Sequence, residues 1–331
     1  MRFTKMHGIG NDYVYIDGSV HHGLDLSRAA RLVSDRHFAI GSDGLIAVCP
    51  PTLRDADVRM RMFNADGSEG EMCGNGIRCV AKFAVDRGIA TANPLRIETG
   101  RGILEVEWTR DAAGRVASAS VRMGAPILEH ARIPARIERI APEARVVGHS
   151  VDLSRWGEGS TGVDWWREAR VEPHITLVSM GNPHVVLVCD DPWKVPLERV
   201  GPRIERDPWF PARINVHFVR FGPRGGEAGM GRGEAEMRTW ERGSGITLAC
   251  GTGASAVCVA GVLLGKGART LDARLPGGPL QLEWPSEGAD VRMTGPATEV
   301  FEGEVDLDEL EAKLVVHGVI DGALRGGAVH A

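Results

Sequence analysis

Apolar and polar residues alternate in short runs along much of this chain. VRMRMF (58–63), ILEVEW (103–108), VHFVRF (216–221) and YVYID (13–17) keep a period of two, which predicts strands with one buried face. VVLVC (185–189) is apolar throughout and predicts a strand buried more deeply. Helical spacing is rarer. One helix is predicted after Cys73, ending near DRGIA with Gly88 as its cap, and one after Cys250, ending near GKG. A third is predicted over 27–37, with Ser27 or Asp25 near its start. Many strands and few helices predict an α/β or α+β fold. The helix after Cys250, ASAVCVAGVLL (254–264), is apolar nearly all round, so it should lie inside a sheet or barrel rather than on a surface. The pattern decays over 150–173, where turn residues and three tryptophans predict a loop or insertion packed by its own aromatics. Residues 221–236 read as a long hairpin loop.

The chain repeats itself. MRMFNADGSEGEMCGNG (60–76) aligns without a gap on MRTWERGSGITLACGTG (237–253) at an offset of 177, the separation of Cys73 and Cys250. Asn64 falls over Glu241, nine residues before each cysteine. Upstream, GNDYVYI (10–16) matches GNPHVVL (181–187). Two matching blocks in the same order imply two homologous halves related by a pseudo-twofold. We read the first half, with Cys73, as 1–124, completed by the C-terminal segment 303–331, and the second, with Cys250, as 125–302. The two helix mouths are then expected to face one cleft between the halves.

Length and composition narrow the classes. A chain of 331 residues favours two domains, and 43% hydrophobic with 25% charged residues is ordinary for a globular protein. A net charge of −5 gives no basic footprint for nucleic acid. No apolar run is long enough to span a bilayer, and the first residues lack an apolar leader core, so no membrane partner is expected and a cytoplasmic location is. The six cysteines should then be thiols. They show no zinc-ligand spacing, so no metal site is expected. Cys49, Cys79, Cys189 and Cys258 read as small buried hydrophobes and His7 as structural. GVLLGKG (261–267) is one residue short of a phosphate-loop spacing, and no dinucleotide fingerprint follows a strand.

Cys73 and Cys250 are different, because both sit at helix mouths. A helix N-terminus offers unpaired N–H groups and a partial positive charge, which favour a thiolate and bind an anion. Two such mouths can hold one carboxylate with a thiolate and a thiol flanking its α-carbon. That arrangement suits a two-base racemisation without a cofactor, one sulfur removing the α-proton and the other returning a proton to the opposite face.

KMHGIGNDYVYID, FNADGSEGEMCGNGIRC, SMGNPH, ERGSGITLACGTGA and MTGPATEVFEG together resemble the diaminopimelate epimerase family, in order and over nearly the whole chain. The resemblance implies two pseudo-symmetric domains, each a barrel-like mixed sheet around a central buried helix, with the active site in the interdomain cleft. It implies cofactor-independent interconversion of LL- and meso-2,6-diaminopimelate, on the route to lysine and peptidoglycan. Carried over by motif, Cys73 and Cys250 are the acid/base pair, and Gly74, Asn75, Gly251 and Thr252 hold the reacting carboxylate. Asn11, Asn64, Asn182, Asn215, Glu241 and Arg242 hold the rest of the substrate. Glu241 is matched to the distal ammonium and Arg242 to the distal carboxylate, and His184 supports. A homodimer is common in the family. Two alternatives stay open: a related two-cysteine racemase acting on proline, hydroxyproline or histidine, and a non-catalytic amino-acid-binding protein.

Overall fold

The computed structural model describes residues 1–157, 164–222 and 232–320. Residues 158–163 of the expected insertion, 223–231 of the expected hairpin loop and 321–331 of the C-terminal segment lie outside the described residues. The chain divides into two units. The first holds Met1–Gly8, Asp12–Ala117 and the described residues from Ala297; the second holds Ile9–Asn11 and the described residues of Ser118–Pro296.

In the first unit the strand Thr298–Glu304 runs antiparallel to Arg2–Gly8, which also pairs with Asn11–Asp17. Asn11–Asp17 runs parallel to Gly44–Cys49, which is antiparallel to Val58–Asn64. Val58–Asn64 pairs in parallel with Leu95–Thr99, and a hairpin leads on to Gly102–Arg110. The second unit repeats the order. His174–Ser179 pairs antiparallel with Pro183–Val188, which runs parallel to Asn215–Phe221. Gly233–Glu241, Thr270–Leu275 and Gly278–Glu283 continue it with the same senses of pairing. Arg292–Pro296 and Ser118–Arg122 follow.

Among the described residues six α-helices accompany the strands: α1 (Leu26–Ser34), α2 (Gly74–Asp86), α3 (Trp165–Glu168), α4 (Leu197–Glu205), α5 (Gly251–Leu263) and α6 (Leu307–Val316). α1 starts at an Asp25 N-cap, whose carboxylate accepts the Arg28 N–H. It stops three residues earlier than expected, because the Asp35 carboxylate takes the N–H groups of His37 and Phe38 and turns the chain away. α2 ends before Gly88 and α5 before Gly265, both at positive φ, as the glycine caps predict.

α5 is the central element of the second unit. It touches the strands His174–Ser179, Pro183–Val188, Asn215–Phe221, Thr270–Leu275, Gly278–Glu283 and Arg292–Pro296, and residues 253–261 are buried without a break. An all-apolar sequence is stable there because every face meets side chains of the surrounding sheet. α2 occupies the matching place in the first unit, buried from Asn75 to Val85.

Two expectations are corrected. The chain leaves the first unit at Ser118, not after residue 124. It crosses inside the strand Val116–Arg122: the Val116 N–H donates to Asp86 and its carbonyl accepts from Lys82, while Ser118–Arg122 pairs with Arg292–Pro296. The return comes at Ala297 rather than 303, because the strand that follows belongs to Arg2–Gly8. The described part of the 150–173 stretch packs into the core of its unit rather than only on itself. Trp156 and Trp165 are buried there, and Trp165 meets Phe218 edge-on at 5.8 Å. The Asp207 carboxylate fixes this segment by accepting the Trp156 indole N–H and two Arg155 N–H groups, each at 2.8 Å.

Candidate active site

Cys73 and Cys250 are the N-cap residues of α2 and α5, both with extended backbone, φ −129° in each case. The last position of each CGxG mouth is glycine for steric reasons. On Gly76 an added Cβ would meet Ile46 Cδ1 at 2.8 Å, and on Gly253 it would meet His217 Nε2 at 2.9 Å and Cys250 Sγ at 3.0 Å.

In the first unit the Cys73 sulfur, half-buried, accepts the Gly76 N–H at 3.3 Å. Gly74 and Asn75 form the first turn of α2, where N–H groups lack in-helix carbonyl partners. The Asn75 amide oxygen accepts from buried Arg78 at 3.2 Å. Asn64 ends its strand in a tight turn, donating its side-chain N–H to Ser68 at 2.9 Å.

The second unit gathers Cys250, Gly251, Thr252, Asn182, His184, Asn215, Glu241 and Arg242. Asn11 groups with this unit rather than with the first, because Ile9 and Gly10 pack against Gly277 and Leu248. Cys250 is buried, with its sulfur 3.7 Å from the Thr252 hydroxyl. Burial pushes its thiol well above the ordinary value and the adjacent Glu241 carboxylate adds to this, against the Thr252 hydroxyl and the Gly253 N–H. Desolvation outweighs the helix charge, and Cys250 rests as a neutral thiol.

Glu241 stands beside this sulfur and accepts the Thr247 hydroxyl at 2.6 Å. Its turn is held by Trp240, whose indole N–H donates to Glu205 at 2.7 Å and whose ring lies against Gly201. Asn215 has both ends of its amide engaged. It donates to the Pro183 carbonyl and accepts the Arg242 N–H, each at 2.9 Å. Arg242 itself is exposed and donates to the Ala212 carbonyl at 2.8 Å.

His184 is fully buried. Its Nε2 meets the Asn182 amide oxygen and its Nδ1 meets His217 Nε2, both at 2.9 Å. His217 Nδ1 in turn lies 2.9 Å from the Thr239 hydroxyl. Burial, then His217 and Arg242, hold His184 well below its ordinary value, and burial alone brings His217 to about 3. Sequence reasoning missed His217 and Thr239. The available signal was a histidine inside the otherwise apolar strand NVHFV.

A model of the diaminopimelate epimerase family matches residues 3–128 and 176–300. The chain is 45% identical over 310 residues to a diaminopimelate epimerase of Acetivibrio thermocellus, covering 94% of this chain and 100% of that protein. It is also 45% identical to one from Desulfovibrio desulfuricans, covering 92% and 98%. Among solved structures, a probable proline racemase from Agrobacterium radiobacter is similar with a TM-score of 0.60 at 15% identity, covering 99% of this chain and 96% of that one. A phenazine biosynthesis protein of the PhzF family from Bacillus anthracis is similar with a TM-score of 0.60 at 19% identity, covering 92% and 98%. At such identities these two structures speak for the fold alone.

Proposed function

The chain belongs to the diaminopimelate epimerase family, and from that premise we propose that it interconverts LL- and meso-2,6-diaminopimelate with Cys73 and Cys250 as its two acid/base groups. One observation carries the mechanism: the two cysteines cap two equivalent buried helices, each through the same Cys-Gly-x-Gly mouth.

Cys73, whose sulfur accepts an N–H, takes the α-proton as a thiolate, and the neutral Cys250 thiol gives its proton to the opposite face of the same carbon. The products of that step are a Cys73 thiol and a Cys250 thiolate, which is the starting state for the reverse direction. The first-turn N–H groups of Gly74, Asn75, Gly251 and Thr252 receive the carboxylate and stabilise the charge that builds on it. Glu241, a carboxylate beside the second helix mouth, receives the distal ammonium. Arg242 takes the distal carboxylate, and Asn11, Asn64 and Asn182 complete the contacts. Asn215 acts through Arg242, whose backbone it holds. Six free thiols suit a reducing compartment, so we place the enzyme in the cytosol; a homodimer is the assembly expected from the family.

The test is α-proton exchange by NMR in D₂O with LL-diaminopimelate and reduced protein. Wild type should incorporate deuterium as meso product forms, while Cys73→Ala and Cys250→Ala should not epimerise. Exchange with proline, hydroxyproline or histidine but not with diaminopimelate would move the assignment to a related racemase. No exchange with any of them would leave a binding protein.

A further inference from the structure

Five side chains in the second unit lie in series on Cys250. The order is Thr239 Oγ1, His217 Nδ1 and Nε2, His184 Nδ1 and Nε2, Asn182 Oδ1 and Nδ2, and Thr252 Oγ1, with successive separations of 2.9, 2.9, 2.9 and 3.3 Å. The Thr252 hydroxyl is the last member, 3.7 Å from the sulfur. Hydrogen-bond chemistry gives this row one direction. An amide oxygen only accepts, so His184 carries its proton on Nε2. Both rings are fully buried and held neutral, so His184 Nδ1 accepts from His217 Nε2–H, and His217 Nδ1 accepts the Thr239 hydroxyl. At the other end the Asn182 N–H donates to Thr252, which directs the threonine's own proton to sulfur. Chains polarised in one sense strengthen each member.

The duplication shows that the fold does not require this row. In the first unit Ile46 occupies the register position of His217, and Met62 occupies that of Thr239. Tyr13 stands where His184 does, by the alignment of GNDYVYI on GNPHVVL. Ile46 and Met62 fill equivalent space with apolar atoms, so the histidine and threonine are not there to fill volume.

We infer that His217 and Thr239 are positioning residues for the reaction at Cys250, starting a chain that delivers a hydrogen-bond donor to its sulfur. With Thr252 donating, the thiol's own proton is left for the α-carbon, and the thiolate formed after transfer has a donor to hold its charge. This inference rests on the reading of Cys250 as an acid/base group.

The first experiment is ¹⁵N NMR of histidine-labelled wild-type protein at pH 7. His184 and His217 should both be neutral with the proton on Nε2; a proton on Nδ1 of either ring, or an imidazolium, overturns the direction of the chain. The second compares Thr239→Val, Thr239→Ser and His217→Gln, each checked for cooperative unfolding. Thr239→Val should lower kcat by about 3- to 10-fold with KM unchanged, the worth of one hydrogen bond, and Thr239→Ser should restore it. Wild-type kcat in the valine variant, or no recovery in the serine variant, overturns the role. Failure of the function reading would look different: wild type would exchange no α-proton of diaminopimelate, or Cys250→Ala would still epimerise it, while the ring tautomers would stand as measured.

Discussion

Gly253→Ala should separate packing from chemistry at the second helix mouth. The new Cβ would meet His217 Nε2 at 2.9 Å and Cys250 Sγ at 3.0 Å, and would overlap His217 Cε1. Ordinary carbon contacts start near 3.5 Å, so the ring or the sulfur must move by on the order of 1 Å. The ring has little freedom, being fully buried and bonded at both nitrogens. Overpacking of this kind costs about 1–3 kcal/mol, and alanine's better helix propensity returns about 0.5–1 kcal/mol, so the expected net loss is about 1–2 kcal/mol. Activity should fall much further, by on the order of 100-fold, because a shift of about 1 Å at a reacting group costs that much. Gly76→Ala is the control. Its Cβ meets Ile46 Cδ1 at 2.8 Å and Met60 Cε at 3.3 Å, both ends of flexible side chains, so the loss should stay within about 1 kcal/mol. Urea unfolding followed by tryptophan fluorescence gives the stabilities, and deuterium exchange gives the activity. A Gly253→Ala protein as stable and as active as wild type would refute the close packing of His217 and Cys250 against the helix.

Three further outcomes are expected. His217 is held at about 3 and His184 well below its ordinary value, whereas both titrate near 6.5 in the unfolded chain, so their contribution to stability is complete above about pH 6.5 and is lost as pH falls toward 3. At pH 5 buried His217 accounts for a loss of about 2 kcal/mol, and His217→Gln should flatten the stability–pH curve by that amount; an unchanged curve would count against neutral burial. Glu241→Gln removes a charge that raises the Cys250 thiol, so Cys250 should react faster with iodoacetamide at pH 8, and an unchanged rate would show that Glu241 does not act on the sulfur. Asp207→Ala removes the acceptor for Arg155, Trp156 and the Trp209 N–H and should cost about 3 kcal/mol in urea unfolding, with a shift in tryptophan emission.

The duplication made much of this legible in advance. An ungapped match around Cys73 and Cys250 places both at helix mouths, and the apolar surround of residues 254–263 puts α5 inside its sheet. Strand alternation at 58–63 survives in the structure because alternate residues face a core, whereas in 103–108 only Val106 is buried. What stayed hidden depends on distant pairings. The crossing at Ser118 lies inside a continuous strand, where no composition shift marks it. The Thr298–Glu304 strand carries no sign that its partner lies at the other end of the chain. His217 and Thr239 are brought together by antiparallel register, so a lone histidine gave no hint of a row of five. The state of the Cys250 thiol follows from burial and from Glu241, neither of which a local helix-mouth argument contains. α4 was not foreseen either; it carries Pro202 within it and still forms a wall for Trp240.

The closure of the first unit by its last strand bears on how the chain is made. Synthesis on the ribosome is vectorial, and Arg2–Gly8 emerges long before its partner Thr298–Glu304 and the covering helix α6. Ser118–Pro296, by contrast, is nearly continuous and is complete before that strand appears. The second unit can therefore fold while the first still waits with an unpaired edge, which is the kind of surface that aggregates or recruits a chaperone. The unit whose first strand is made early is the unit that finishes folding late.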